Sequence, residues 1–178
     1  WFLPATRGEE PAPATRNAYL DLWRSVLPLA RNVPEPLVLR DYHVDNLMHL
    51  PGRSGTAACG LLDFQDAVIG PVSYDLVSLL EDARRDVAPH VASQCFDRYM
   101  DAFPNLDADT VQASYAILGA QRSAKIIGIF TRLDRRDGKP VYLEHIPRVF
   151  RWLEKDLQHP ALERIRTWLD HEVPPAMR

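Results

Sequence analysis

Two carboxylates and one amide stand in an order that suits phosphoryl transfer. Asp41 follows the apolar run Leu37-Val38-Leu39, Asn46 comes five residues later, and Asp63 ends a second apolar run, Cys59 to Leu62, just before Phe64. Moving a phosphoryl group needs a hydroxyl held in line and cations that neutralise the phosphate charge. A loop carboxylate such as Asp41 can accept and orient the proton of the attacking hydroxyl. Asn46 and Asp63 offer hard oxygen ligands, and Mg²⁺ commonly uses one or two protein groups beside waters and phosphate. Taken singly, each of these residues is also what an ordinary turn, cap or solvated strand end contains. Their joint order is what carries the reading.

The elements that must position them are short. Leu37–Leu39, Asn46–Leu50 and Cys59–Leu62 read as strands, and Pro51-Gly52-Arg53-Ser54-Gly55 as the turn of a hairpin joining the last two. Such strands make a small β platform, not a main sheet. The rest reads as helix. Ala14 to Leu29 has helical apolar spacing and stops at Pro34 and Pro36; an apolar opening, Trp1-Phe2-Leu3, is expected to break at Pro4. From Ser73 the helical pattern is continuous: a helix over Tyr74–Leu80, another over Val91–Phe103, and a long buried one from Asp107 to about Leu133. Two more follow, about Val141–Asp156 and Ala161–Glu172. Gly119 and Gly128 each lower helix stability by about 1 kcal/mol relative to Ala, which predicts close helix packing at both. The expected fold class is mainly α with a small β hairpin platform, one unit over 1–178, with loops 39–66 set on a helical body 73–172.

Composition narrows the classes. Lys+Arg 21 against Asp+Glu 24 leaves a net charge of -3, which gives no electrostatic case for nucleic acid or anionic lipid. Arg132, Arg135 and Arg136 alternate with Asp134 and Asp137, which reads as a solvated turn. No apolar run reaches membrane-spanning length, and no signal peptide is visible. Cys59 and Cys95 lack metal or redox spacing and read as reduced core thiols of a cytoplasmic protein.

The run Leu39-Arg40-Asp41-Tyr42-His43-Val44-Asp45-Asn46 resembles the catalytic loop of the aminoglycoside phosphotransferase and choline kinase superfamily, and Asp63-Phe64-Gln65 resembles its metal motif. The continuation from Asp66 to Leu80, with Gly128–Leu133 and Arg136–Leu143, is similar to the bacterial anomeric kinases of N-acetylmuramate and N-acetylglucosamine. The resemblance implies the C-terminal lobe of a protein-kinase-like fold. It implies Asp41 as catalytic base, Asn46 and Asp63 as Mg²⁺ ligands, and Asp75 bracing the catalytic loop through backbone N–H groups or Arg40. ATP is the implied co-substrate and an amino sugar the implied acceptor, in cell-wall recycling. Tyr42, His43, Gln65 and Asp66 are candidates for sugar hydroxyls; Arg84, Lys125 or Arg132 are candidates for a lactyl carboxylate. Leu39 stands where the superfamily often has His, and Gln65 where protein kinases have Gly. No Gly-rich loop precedes Asp41, and the only lysines, Lys125, Lys139 and Lys155, lie downstream. A nucleotide lobe is therefore expected ahead of Trp1, and the chain by itself is expected to bind ATP poorly. An aminoglycoside or other small-alcohol acceptor, or a catalytically silent scaffold, are the alternatives.

Overall fold

The computed structural model describes residues 1–178 and is mainly helical, with two small two-stranded ladders. The helices are α1 (Phe2–Arg7), α2 (Pro13–Val26), α3 (Tyr74–Leu80), α4 (Pro89–Ala102), α5 (Ala108–Asp137), α6 (Ile146–Asp156) and α7 (Glu163–Glu172). The strands are β1 (Leu37–Val38), β2 (Leu47–His49), β3 (Cys59–Leu61) and β4 (Val68–Ile69).

The helix α5 is the axis of the body. Its 30 residues span ~45 Å at 1.5 Å per residue. Asp107 caps its start by accepting from the Thr110 amide at 2.9 Å. Gly138, at φ 63°, ends it in the left-handed conformation, with its own amide and that of Lys139 bonded back to the carbonyls of Asp134 and Leu133. That cap carries the helix past the basic stretch, so Arg132 to Asp137 form its last turns and not a solvated turn as the alternating charges had indicated. Ala116, Ile117, Ala120, Ile127 and Phe130 of α5 pack with Val149, Phe150 and Leu153 of α6 and Ile165 and Leu169 of α7 in one core. No helix is long and apolar enough to cross a membrane.

A buried hydroxyl chain fixes α3 to this axis. Ser73 and Ser114 share a hydrogen bond of 2.6 Å, and Ser114 Oγ donates to the Ala30 carbonyl at 2.6 Å. Ser73 and Ser114 are fully buried, so each needs these partners. Residues 73–80 are thereby set against α5, and α3 carries Asp75 and Ser78 toward the platform.

Several local expectations change. Pro4 does not break the opening segment: it occupies the first turn of α1, where its missing N–H has no helical partner to lose. Phe2 then packs edge-on against Phe150, ring centroids 5.2 Å apart. The segments before α6 and α7 form short 3₁₀ turns at Pro140–His145 and Pro160–Leu162, each with proline at its start. Cys59 is exposed and Cys95 half-buried, so neither is a core thiol. Cys59 starts a strand paired on one side only, and α4 buries no residue completely.

The two helix glycines differ. A Cβ on Gly119 would lie 2.1 Å from Asp156 Oδ2 and 2.9 Å from Glu81 Oε2, whereas one on Gly128 meets nothing within 4 Å. Gly128 instead borders an apolar cavity of about 390 Å³ beside Phe2, Tyr19 and Trp168, which contains no residue of the platform loops.

Glu81 and Asp156 are both buried, and Glu81 Oε2 and Asp156 Oδ2 have no partner when both groups are ionised. Burial, with the neighbouring Glu81 charge, pushes the Asp156 carboxyl up to about 10. One proton held between the two acids satisfies both oxygens, while Lys155 Nζ pairs with Glu81 Oε1 at 2.7 Å. An acid whose folded value is raised contributes stability that is complete below its unfolded value of ~3.9 and is lost as pH rises through the folded value. Denaturation midpoints of the wild type should therefore decline between pH ~4 and about 10. In Asp156→Asn, whose amide donates to Glu81 at every pH, the same titration should give a flatter curve.

Candidate active site

The two ladders explain how distant residues share one place. β1 pairs antiparallel with β4 (Leu37 with Ile69, Val38 with Val68), and β2 with β3 (Leu47 with Leu61, His49 with Cys59). The chain passes from β1 to β2 through residues 39–46 and from β3 to β4 through residues 62–67. Because the partners of these strands pair with each other, the two connecting loops lie side by side. The expected hairpin is β2–β3. The β1–β4 ladder was not anticipated, and it is what returns the Asp63 loop to the Asp41 loop.

Specific bonds tie the loops together. Asn46 Nδ2 donates to the Asp41 carbonyl at 2.8 Å, and the Leu62 amide donates to the Asn46 carbonyl at 2.9 Å. Arg40 Nη1 reaches the Asp66 carbonyl at 3.3 Å. Asp75 accepts the Leu39 amide at 2.7 Å and the Arg40 amide at 3.0 Å. Burial raises the Asp75 carboxyl, and those two amides act in the opposite direction.

Two non-glycine residues have positive φ, Arg40 at 70° and Asp63 at 54°. Each costs on the order of 1–3 kcal/mol unless its surroundings hold it, and such positions concentrate at working sites. Both lie in the stretch singled out for chemistry.

The oxygens left available fit a hard cation. With its amide nitrogen committed to the Asp41 carbonyl, Asn46 leaves Oδ1 without a protein partner. Gln65 Nε2 donates to Asp63 Oδ1, which leaves Oδ2 of Asp63 open. One neutral oxygen and one carboxylate oxygen are the hard donors that Mg²⁺ takes beside water and phosphate. No group of three or more His, Cys, Asp or Glu residues converges anywhere in the chain to hold a metal by itself.

The remaining candidates divide. Asp41, Asp63, Gln65 and Asp66 are exposed on the loops. Tyr42 is half-buried, its phenol raised by burial and then by Cys59 and Asp75. His43 lies 3.9 Å from Asp45, beyond hydrogen-bond distance, and its Nδ1 is buried without a partner. Arg84 bonds within its own turn, amide to Asp82 Oδ1 at 2.8 Å, and to neither loop. Lys125 reaches the Tyr74 hydroxyl at 3.5 Å, next to Asp75. Arg132 lies ten residues past Arg122, ~15 Å along α5, beside Asp137.

Sequence reasoning missed Ser78 and Arg122. Ser78 Oγ donates to the Arg40 carbonyl at 3.2 Å, and Arg122 Nη2 donates to Ser78 Oγ at 3.2 Å. The available signal was a charged residue between the small residues Gly119 and Ser123 on an otherwise apolar helix face.

Comparison with known proteins points to the same class of chemistry. The chain is 48% identical over 135 residues to an N-acetylmuramate/N-acetylglucosamine kinase of Caulobacter vibrioides, covering 76% of this chain and 37% of that protein. It is 37% identical over 161 residues to a protein of the same name from Neisseria meningitidis serogroup B, covering 87% and 47%. A third, from Pseudomonas aeruginosa, is 36% identical over 165 residues, covering 86% and 46%. The chain thus spans less than half the length of these relatives. The profile of the phosphotransferase enzyme family matches residues 1–109, which include both loops and α3. The chain belongs to the phosphotransferase enzyme family.

Proposed function

We propose that the protein containing this chain transfers the γ-phosphoryl of ATP to the anomeric hydroxyl of N-acetylmuramate or N-acetylglucosamine, serving cell-wall recycling in the bacterial cytoplasm. The observation that carries the phosphotransfer reading is the pairing of the two loops, which brings Asp41, Asn46 and Asp63 to one end of the platform. The amino sugar comes from the names of the relatives. Asp41 accepts the proton of the sugar hydroxyl as the oxygen–phosphorus bond forms and the bond to the leaving ADP oxygen breaks. Asn46 Oδ1 and Asp63 hold Mg²⁺, which when bound neutralises phosphate charge. Asp75 keeps the Asp41 loop in place. Residues 1–178 act as the acceptor and metal lobe; a nucleotide lobe outside this stretch sits over the apolar side chains the platform exposes, among them Leu61, Leu62 and Phe64.

Relative kcat/KM of the full-length gene product across acceptors tests the reading. N-acetylmuramate and N-acetylglucosamine should exceed aminoglycosides and simple alcohols by at least about 100-fold, the discrimination that a few well-placed polar contacts supply. Equal or reversed preference would move the protein to the small-alcohol or aminoglycoside class. Sugar binding without turnover would make it a scaffold.

A further inference from the structure

Arg40, the residue that introduces Asp41, is gripped from two sides. Arg40 holds a left-handed backbone, which persists in a non-glycine residue only when the surroundings over-determine it. On the N–H side the grip is Asp75, through the amides of Leu39 and Arg40. On the carbonyl side it is Ser78, whose hydroxyl donates to Arg40 O at 3.2 Å. That carbonyl belongs to the peptide whose nitrogen is Asp41's own.

A serine within a helix has a competing acceptor, the carbonyl one turn back. What turns Ser78 outward is Arg122. Its Nη2 donates to Ser78 Oγ at 3.2 Å, and its Nη1 donates to the Glu81 carbonyl at the end of α3, also at 3.2 Å. With the lone pairs of Ser78 facing a guanidinium, the hydroxyl hydrogen is left to the Arg40 carbonyl. Ser78 is completely buried, so no water substitutes for these partners. The two acceptors are served by two nitrogens of one planar fork, which an ammonium on a flexible stem does not reproduce. The cation also lies at the C-terminal end of α3, where the helix dipole favours it. Burial pushes the Arg122 guanidinium down from its ordinary value, and Tyr74, Asp82, Glu81 and Asp41 act in the opposite direction.

We infer that Arg122 is a positioning residue for the transfer: through Ser78 it fixes the Arg40–Asp41 peptide and thereby the direction of the Asp41 carboxylate. The inference rests on the reading that Asp41 receives the hydroxyl proton. Neither Arg122 nor Ser78 touches substrate in this scheme.

The test uses the full-length gene product with Arg122→Gln, Ser78→Ala, both together, and Arg122→Lys. Each of the first two should lower kcat by about 10- to 100-fold, the loss of one buried charge-assisted hydrogen bond, with KM for ATP within about threefold of wild type. The double variant should be no worse than the poorer single one, because both break the same relay. Arg122→Lys, keeping one of two donors, should fall between. Hydrogen exchange of the Leu39 and Arg40 amides should quicken about tenfold while amides of α6 keep their protection, which a general loss of stability would not produce. Wild-type kcat and unchanged exchange in folded variants would overturn the inference. If the wild type phosphorylates no amino sugar, the functional reading fails first. The exchange measurement then decides the relay alone: faster exchange supports it, unchanged exchange refutes it. Should Arg122→Gln not fold, Ser78→Ala carries both measurements.

Discussion

Asp41→Asn should lower kcat for the amino sugar by about 10²- to 10⁴-fold, the usual contribution of a positioned general base, while the protein stays folded. Two features make the outcome specific. Asp41 is exposed on its loop, so exchanging a carboxylate for an isosteric amide removes no packing. Its backbone carbonyl, not its side chain, holds Asn46 at 2.8 Å, so the Asn46 amide keeps its orientation. The deficit should therefore fall on kcat, with little change in the KM for ATP. Steady-state kinetics with a thermal melt of both proteins checks this. A folded Asp41→Asn enzyme with wild-type turnover would remove Asp41 from the base role.

Gly119→Ala should destabilise the protein by about 3 kcal/mol, although Gly→Ala in a helix interior ordinarily stabilises by about 1 kcal/mol. The new methyl would fall 2.1 Å from Asp156 Oδ2 and 2.9 Å from Asp156 Cγ, on the acid of the shared-proton pair. Neither carboxyl can retreat cheaply. Both are buried, and Glu81 is tethered to Lys155 at 2.7 Å. Relief of the clash thus costs overpacking plus a buried hydrogen bond. For a chain of this size the loss corresponds to about 6–12 °C in Tm. Gly128→Ala is the internal control: open space surrounds its Cβ position, and it should gain about 0.5–1 kcal/mol. Chemical denaturation of the pair measures both, and equal stability of the two variants would mean the Glu81–Asp156 contact does not constrain α5.

The chemistry-bearing stretch was legible in the sequence because its residue types are few and their spacing is fixed by short strands. Asp41 to Asn46 has to be a loop once Leu37 and Leu47 begin strands, and Pro51-Gly52 marks the turn between β2 and β3. Helix existence was also legible, since Ala108–Asp137 repeats its apolar face over many turns. What escaped was decided by tertiary contact. Val68–Ile69 is a two-residue strand before Gly70-Pro71 and gains strand character only through Leu37 and Val38. Cys59 reads as apolar and buried, yet its ladder has only two strands. The partners of Arg122, the Glu81 carbonyl and Ser78 Oγ, come from the end of α3, 41 and 44 positions earlier. The Glu81–Asp156 pair joins residues 75 positions apart, and no local pattern announces a shared proton.

If the Asp41 and Asp63 loops belong to an amino-sugar anomeric kinase, the transferred phosphate sits on the anomeric oxygen. The most direct measurement is ³¹P NMR of the product formed when the full-length gene product meets N-acetylmuramate, ATP and Mg²⁺, with the Asp41→Asn protein alongside. An anomeric sugar phosphate is expected from the wild type and essentially none from the variant. A phosphate on another hydroxyl, or equal product from both proteins, would contradict it.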